Sequence, residues 1–180
     1  TFDDVVDSIT TKLINRHPHV FSDLSIEDSK AQTDHWEKIK IEERKQKYGI
    51  NSILDDIGTN QPALNIAYKI GKRARSVGFD WNNVGGVIDK IEEEIEELKV
   101  AINSGNQSNI EEEAGDLLFS VVSLSRHTSI DPESALRKAN KKFDQRFRSM
   151  ERALKESNRE FSHMTERELD KLWENVKAKE

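Results

Sequence analysis

The sequence predicts an all-α protein, built of helical hairpins that form a four-helix-bundle-type core. Three observations lead there. Apolar residues recur at helical spacing through most of the chain. Glycine and proline are scarce, at 8 and 3 of 180 residues, and alternating valine-rich strand segments are missing. Hydrophobic and charged residues each make up 34%, a balance that suits thin helical architecture in which much of every helix faces water.

The composition also excludes chemistry. With no cysteine, disulfides, thiolate catalysis and cysteine-ligated metal sites are ruled out, and a reducing cytoplasm is the expected setting. The net charge of −6 argues against binding a nucleic-acid backbone. The longest apolar run, "LLF" before Ser120, is too short for a membrane span.

The elements follow in order. A first helix is expected from Asp3 to Arg16, stopped by Pro18 in "RHPHVF". A second is expected over Asp34 to Lys47, after a polar loop, and a third over Ala63 to Val77, ending at Gly78. In "GFDWNN", Asp80 or Asn82 is the expected N-cap of a fourth helix, Val84 to Asn103. After "NSGNQSN", Ser108 and Glu111 have capping-box spacing for a fifth, Asn109 to His127. Asp131-Pro132 opens a sixth, reaching Ser157. Thr165 and Glu168 form a second capping-box pattern before the last helix.

Two short matches recur in the same order: "KLINR" with "KFDQR", and "WEKIK" with "WENVK". They suggest a duplicated unit. On this reading residues 1–57 are the end of a first copy plus a linker, and 58–180 a complete second copy. Trp36 and Lys40 of the first copy would keep only structural value.

The fourth helix contains "IEEEIEELKV". On a wheel of ~100° per residue, Ile88, Ile91, Ile95, Leu98 and Ile102 share a stripe, and Glu92, Glu93 and Glu96 point to water. Glu94 and Glu97 flank the stripe one turn apart, beside Ala101. On the fifth helix Ile110, Ala114, Leu117, Val121 and Leu124 form the stripe, with Glu113 at its inner edge and Asp116 just beyond. A carboxylate within an apolar stripe costs several kcal/mol unless its charge is compensated. No lysine or arginine lies within a turn of Glu113 on that face, so either a basic side chain from another helix or a cation is required. An antiparallel hairpin brings the two acidic pairs together. Four oxygen donors without histidine suit Mg²⁺, or Mn²⁺ in its place. A di-iron bundle would need Glu-x-x-His pairs, which are absent here. The bland alternative is two solvated acidic helices, and the placement of Glu113 and Asp116 weighs against it.

These residues carry a resemblance. E-E-x-x-E (Glu93, Glu94, Glu97) followed by E-x-x-D (Glu113, Asp116) resembles the signature of the MazG family, all-α nucleoside triphosphate pyrophosphohydrolases. "KRARSVGFDW", "GDLLFSVVSLSRH", "ANKKFDQRF", "WENVK" and "RHPHVF" extend the likeness over essentially the whole chain. The resemblance implies Mg²⁺-dependent cleavage of an NTP or dNTP to a monophosphate and pyrophosphate. Glu94, Glu97, Glu113 and Asp116 would hold the metal. Glu93 would be a ligand, a supporting carboxylate or the base for the attacking water.

The resemblance also assigns Lys142 and Arg146, one turn apart, to the phosphates. Trp173 would stack on the base without reading its edge, which suits broad specificity, and Lys177 repeats the same spacing on the last helix. The bland readings are a surface ion-paired couple and a core tryptophan. Basic "KIGKRAR" is expected to balance the acidic helices, and Trp81 to pack after a tight turn. His17 and His19 are weak evidence for zinc. Hairpins this thin bury little alone, so a homodimer is expected. The competing function is a non-catalytic helical interaction module with an acidic docking face.

Overall fold

The computed structural model describes residues 1–16, 18–21, 39, 52–55 and 57–179. Every regular element among them is helical: α1 (Phe2–Arg16), α2 (Pro18–Phe21), α3 (Ala63–Ser76), α4 (Val84–Ser104), α5 (Gln107–His127), α6 (Pro132–Glu156), a 3₁₀ turn (Phe161–His163) and α7 (Glu166–Lys177). Apart from Ile39, the expected helix over Asp34 to Lys47, with Trp36 and Lys40, lies outside the described residues, as do the side chains of His17 and His19. No helix among the described residues is long and apolar enough to cross a membrane. Two compact units emerge, Thr1–Leu124 and Ser125–Glu180, divided within α5.

In the first unit, the chain re-enters a helix at Pro18 after α1 ends. Proline's fixed φ and missing N–H are tolerated in a first turn, so it stops one helix and starts the next. Arg73 on α3 donates to the carbonyls of Ile53 (3.0 Å) and Asp55, tying the 52–55 turn to that helix. Lys69 donates to the Gln61 side chain, and Arg75 lies 3.9 Å from Asp80. These contacts of the basic helix go to the 52–55 turn, Gln61 and Asp80 rather than to the acidic helices it was expected to balance. The N-cap of α4 is Asn83 rather than Asp80 or Asn82: its side chain accepts from the Gly86 N–H at 3.1 Å. Trp81 lies over this first turn. A Cβ built on Gly86 would come within 3.0 Å of its ring, so glycine is what lets the indole settle there.

α4 ends at Gly105, which adopts φ 68°, a left-handed conformation glycine enters without steric cost. The link to α5 is Gly105-Asn106, much shorter than the expected seven-residue loop. Asn106, not Ser108, serves the start of α5, its side-chain Oδ1 accepting from the Ser108 N–H at 3.0 Å. An Asx side chain two residues upstream competes well for these N–H groups, so the Ser108–Glu111 box is not needed.

In the second unit, α6 packs against α7. Asp131 caps α6 by accepting from the Ser134 N–H at 2.6 Å, with Pro132 at the first helical position. Met150 and Leu154 are the buried apolar residues of α6. The capping box of α7 forms as expected: Thr165 Oγ1 accepts from the Glu168 N–H (3.4 Å), and Glu168 accepts from the Thr165 N–H (3.0 Å).

Candidate metal centre

The buried positions of α4 are Val87, Glu94 and Ala101. They repeat every seven residues, so they form one seam, and a glutamate occupies its centre. The expected stripe is offset by one position. Ile88, Ile95 and Ile102 remain 43%, 37% and 55% exposed, while Ile91 and Leu98 are half-buried. On α5, Ile110, Ala114, Leu117 and Leu124 are half-buried as expected, but Val121 is exposed.

Glu94 retains only 4% of its surface. Its Oε1 receives Lys90 Nζ at 2.9 Å, whereas its Oε2 is buried with no hydrogen-bond partner. An ionised oxygen left bare in this way is costly. Across the hairpin, Glu113 and Asp116 meet it: one carboxylate oxygen from each of Glu94, Glu113 and Asp116 falls within 4.8 Å of the others. Glu113 is half-buried and Asp116 exposed. Partial burial, and then the negative charges of Glu97, Glu94, Asp116 and Glu112, push the Glu113 carboxyl above the usual range. Glu97 itself is exposed and stands outside the tight cluster, but its charge is the largest of those felt by Glu113.

An all-carboxylate donor set, concentrated negative charge and an orphaned buried oxygen fit a hard divalent cation. They do not fit a soft or imidazole-loving metal. Glu93 is exposed and takes the other end of Lys90, Nζ to Oε1 at 2.7 Å. The two carboxylates, Glu93 first and then Glu94, hold the Lys90 ammonium protonated well above lysine's ordinary range. Lys90 is the residue that the sequence reading missed. The helix of Glu113 itself carries no compensating base within a turn. The signal was one helix away, in the i, i+3 and i, i+4 spacings from Lys90 to Glu93 and Glu94.

The second unit holds the residues expected to meet nucleotide. Trp173 is half-buried, with the Phe143 ring centroid at 5.3 Å and the Arg146 guanidinium 5.6 Å from its own centroid. Phe143 also stacks on Phe147 (6.0 Å), which stacks on Phe161 (5.1 Å). Lys142 is exposed one turn before Arg146. Lys177 pairs with Glu174 at 2.7 Å. The tryptophan is therefore both a packing residue of this unit and a partly accessible aromatic face.

A carboxylate triad on a helical hairpin, one member buried and half-satisfied, is a group that could hold a metal ion in a helical protein. The comparisons narrow this. The MazG nucleotide pyrophosphohydrolase domain matches residues 85–150, the stretch carrying α4, α5 and most of α6. The chain is 45% identical over 181 residues to the nucleoside triphosphate pyrophosphohydrolase of Escherichia coli K12, covering 99% of this chain and 68% of that protein. It is 44% identical over 178 residues to the nucleoside triphosphate pyrophosphohydrolase/pyrophosphatase MazG of Thermotoga maritima, covering 99% of this chain and 66% of that one. A nucleoside triphosphate pyrophosphohydrolase of Mycobacterium tuberculosis matches 81 residues at 42% identity, 44% of this chain and 23% of that protein. The chain belongs to the MazG family of nucleoside triphosphate pyrophosphohydrolases.

Proposed function

We propose that this chain hydrolyses nucleoside and deoxynucleoside triphosphates to monophosphates and pyrophosphate, with Mg²⁺ at the acidic hairpin and with broad tolerance of the base. The observation that carries the reading is the cluster of Glu94, Glu113 and Asp116, with its bare buried oxygen, in a chain of this family. Glu94, Glu113 and Asp116 would hold the ion, and Glu97 would complete the set from the same helix face. A bound Mg²⁺ supplies Lewis-acid polarisation of phosphate oxygens and lowers the pKa of water. The chain's own residues do the rest. Glu93, exposed one position before Glu94, accepts the proton of the attacking water. We assign Lys142, Arg146 and Lys177 to phosphate charge, and Trp173 to the base. Stacking without edge recognition accepts any base.

We assign the activity to residues 58–180, the second copy in the repeat, and read the working form as a homodimer. Ile88, Ile95 and Ile102 support a dimer: they form an apolar stripe at seven-residue spacing that the chain leaves exposed, a pattern suited to a helix partner. A cytoplasmic setting fits this reading, since it holds the triphosphate pools and suits a chain without cysteine.

The test is pyrophosphate release from a panel of NTPs and dNTPs, with Mg²⁺ and then with EDTA. Metal-dependent release is expected. Glu97→Gln and Asp116→Asn should abolish turnover while far-UV helicity is retained, and full activity in either variant would overturn the site assignment. A metal-dependent rise in melting temperature without release would favour a binding module.

A further inference from the structure

Lys90 does not behave as an ordinary surface lysine. Its Nζ bridges Glu93 at 2.7 Å and Glu94 at 2.9 Å, and one of these partners is almost wholly buried. Lysine placed N-terminal to glutamate is the weaker order for a pair on an isolated helix, so helix propensity alone does not account for the contact. The buried charge of Glu94 does. Lys99–Glu96, on the same helix at 2.7 Å with both side chains more than half exposed, is the ordinary surface pair for comparison.

Glu94 is shared between two directions. One oxygen faces the ammonium, and the other is bare in a residue whose carboxylate also meets Glu113 and Asp116. We propose that Lys90 is a resident counter-cation of the acidic site, neutralising part of its charge when no metal is bound and thereby opposing divalent-metal binding. This rests on the metal reading above. Two cations drawing on one carboxylate repel, so each weakens the other's hold, and the coupling is reciprocal. Lys90 thus sets how much free cation the site requires, and it limits the cost of an empty site.

The test uses the full chain. Lys90→Met and Lys90→Gln, with Lys99→Met as control, are titrated with Mn²⁺ by calorimetry or EPR and melted in EDTA. Both Lys90 variants should bind Mn²⁺ about fivefold tighter or more, the lower end of typical coupling between sites. Their melting temperature in EDTA should fall, and the gap to wild type should close at saturating Mn²⁺. Lys99→Met should match wild type in both. Lys90→Gln keeps an amide donor toward Glu94, so it retains a measurable fold if Lys90→Met does not. Unchanged or weaker Mn²⁺ affinity in the Lys90 variants, with clear binding by wild type, overturns the counter-cation role and leaves the metal reading standing. No Mn²⁺ binding by wild type overturns both.

Discussion

Replacing Glu94 with leucine should make the metal-free protein more stable while abolishing its response to metal. Glu94 sits in a seam otherwise made of Val87 and Ala101. Its surface is 4% exposed, one oxygen has Lys90, and the other has nothing. Replacing a buried ion pair by apolar residues of similar size is often neutral, or stabilising by about 1–4 kcal/mol, whereas removing one partner destabilises where the other charge is left buried and unpaired. The orphaned oxygen alone accounts for about 1–3 kcal/mol. Lys90 is not stranded by the change, because its side chain is 32% exposed and Glu93 remains at 2.7 Å. For a chain of this size each kcal/mol moves the melting temperature by about 2–4 °C. A rise of roughly 2–16 °C in EDTA follows from these ranges. The assay is thermal unfolding by circular dichroism at matched protein concentration, first in EDTA and then with Mg²⁺ or Mn²⁺. Wild type should gain stability from metal by mass action, whereas Glu94→Leu should gain none. A lower melting temperature for Glu94→Leu in EDTA would show that the carboxylate is a structural element in its own right. An undiminished metal response would remove Glu94 from the ligand set. Removing Lys90 should move the metal-free protein the opposite way, since it leaves the buried acid without its counter-charge.

Three further outcomes are expected. Glu168→Gln should destabilise the protein in a pH-dependent way. The Thr165 backbone N–H first, then Arg159 and the Thr165 hydroxyl, hold the Glu168 carboxyl at about 2, below its ordinary 4.5. Because the folded-state value is the lower one, ionised Glu168 stabilises the fold fully above 4.5, and that contribution is lost as pH falls toward about 2. The melting-temperature gap between wild type and Glu168→Gln should therefore close across that window, and a gap that persists at its acid end would refute the capping account. Trp173→Ala should raise KM by about five- to 150-fold, since base–aromatic stacking contributes about 1–3 kcal/mol, with a smaller change in kcat; an unchanged KM would leave the indole a packing residue beside Phe143 and Arg146. Ile95→Arg should place a charge on the exposed α4 stripe and yield monomer by sedimentation velocity where wild type is dimeric. Identical sedimentation would remove that stripe from the interface.

What the sequence revealed and what it hid divide along a physical line. Helix ends were legible where the determinant is a few adjacent residues: Thr165 with Glu168, and Asp131 with Pro132. They were missed where several capping-capable residues stand close together, Asp80 and Asn82 before Asn83, and Ser108 after Asn106. The buried face of α4 was not legible, because two seven-residue series run side by side. A wheel weighted by side-chain size selects Ile88, Ile95 and Ile102, yet the chain buries Val87, Glu94 and Ala101. The larger apolar residues stay exposed on this chain, and a wheel does not distinguish an exposed apolar stripe from a buried one. The site was legible as a set of carboxylates because Glu113 and Asp116 break the amphipathic pattern of α5. It was not legible as a geometry. Glu94, Glu113 and Asp116 come within 4.8 Å while Glu97 acts on Glu113 from outside that cluster, and Lys90, one turn earlier on the same helix, holds Glu94 Oε1 at 2.9 Å. A wheel ranks directions and not depths. It sets Glu94 and Glu97 as equals one turn apart, although only Glu94 gives up its solvent. That loss makes its bare oxygen worth a cation, and makes the lysine on its other oxygen a competitor for the same charge.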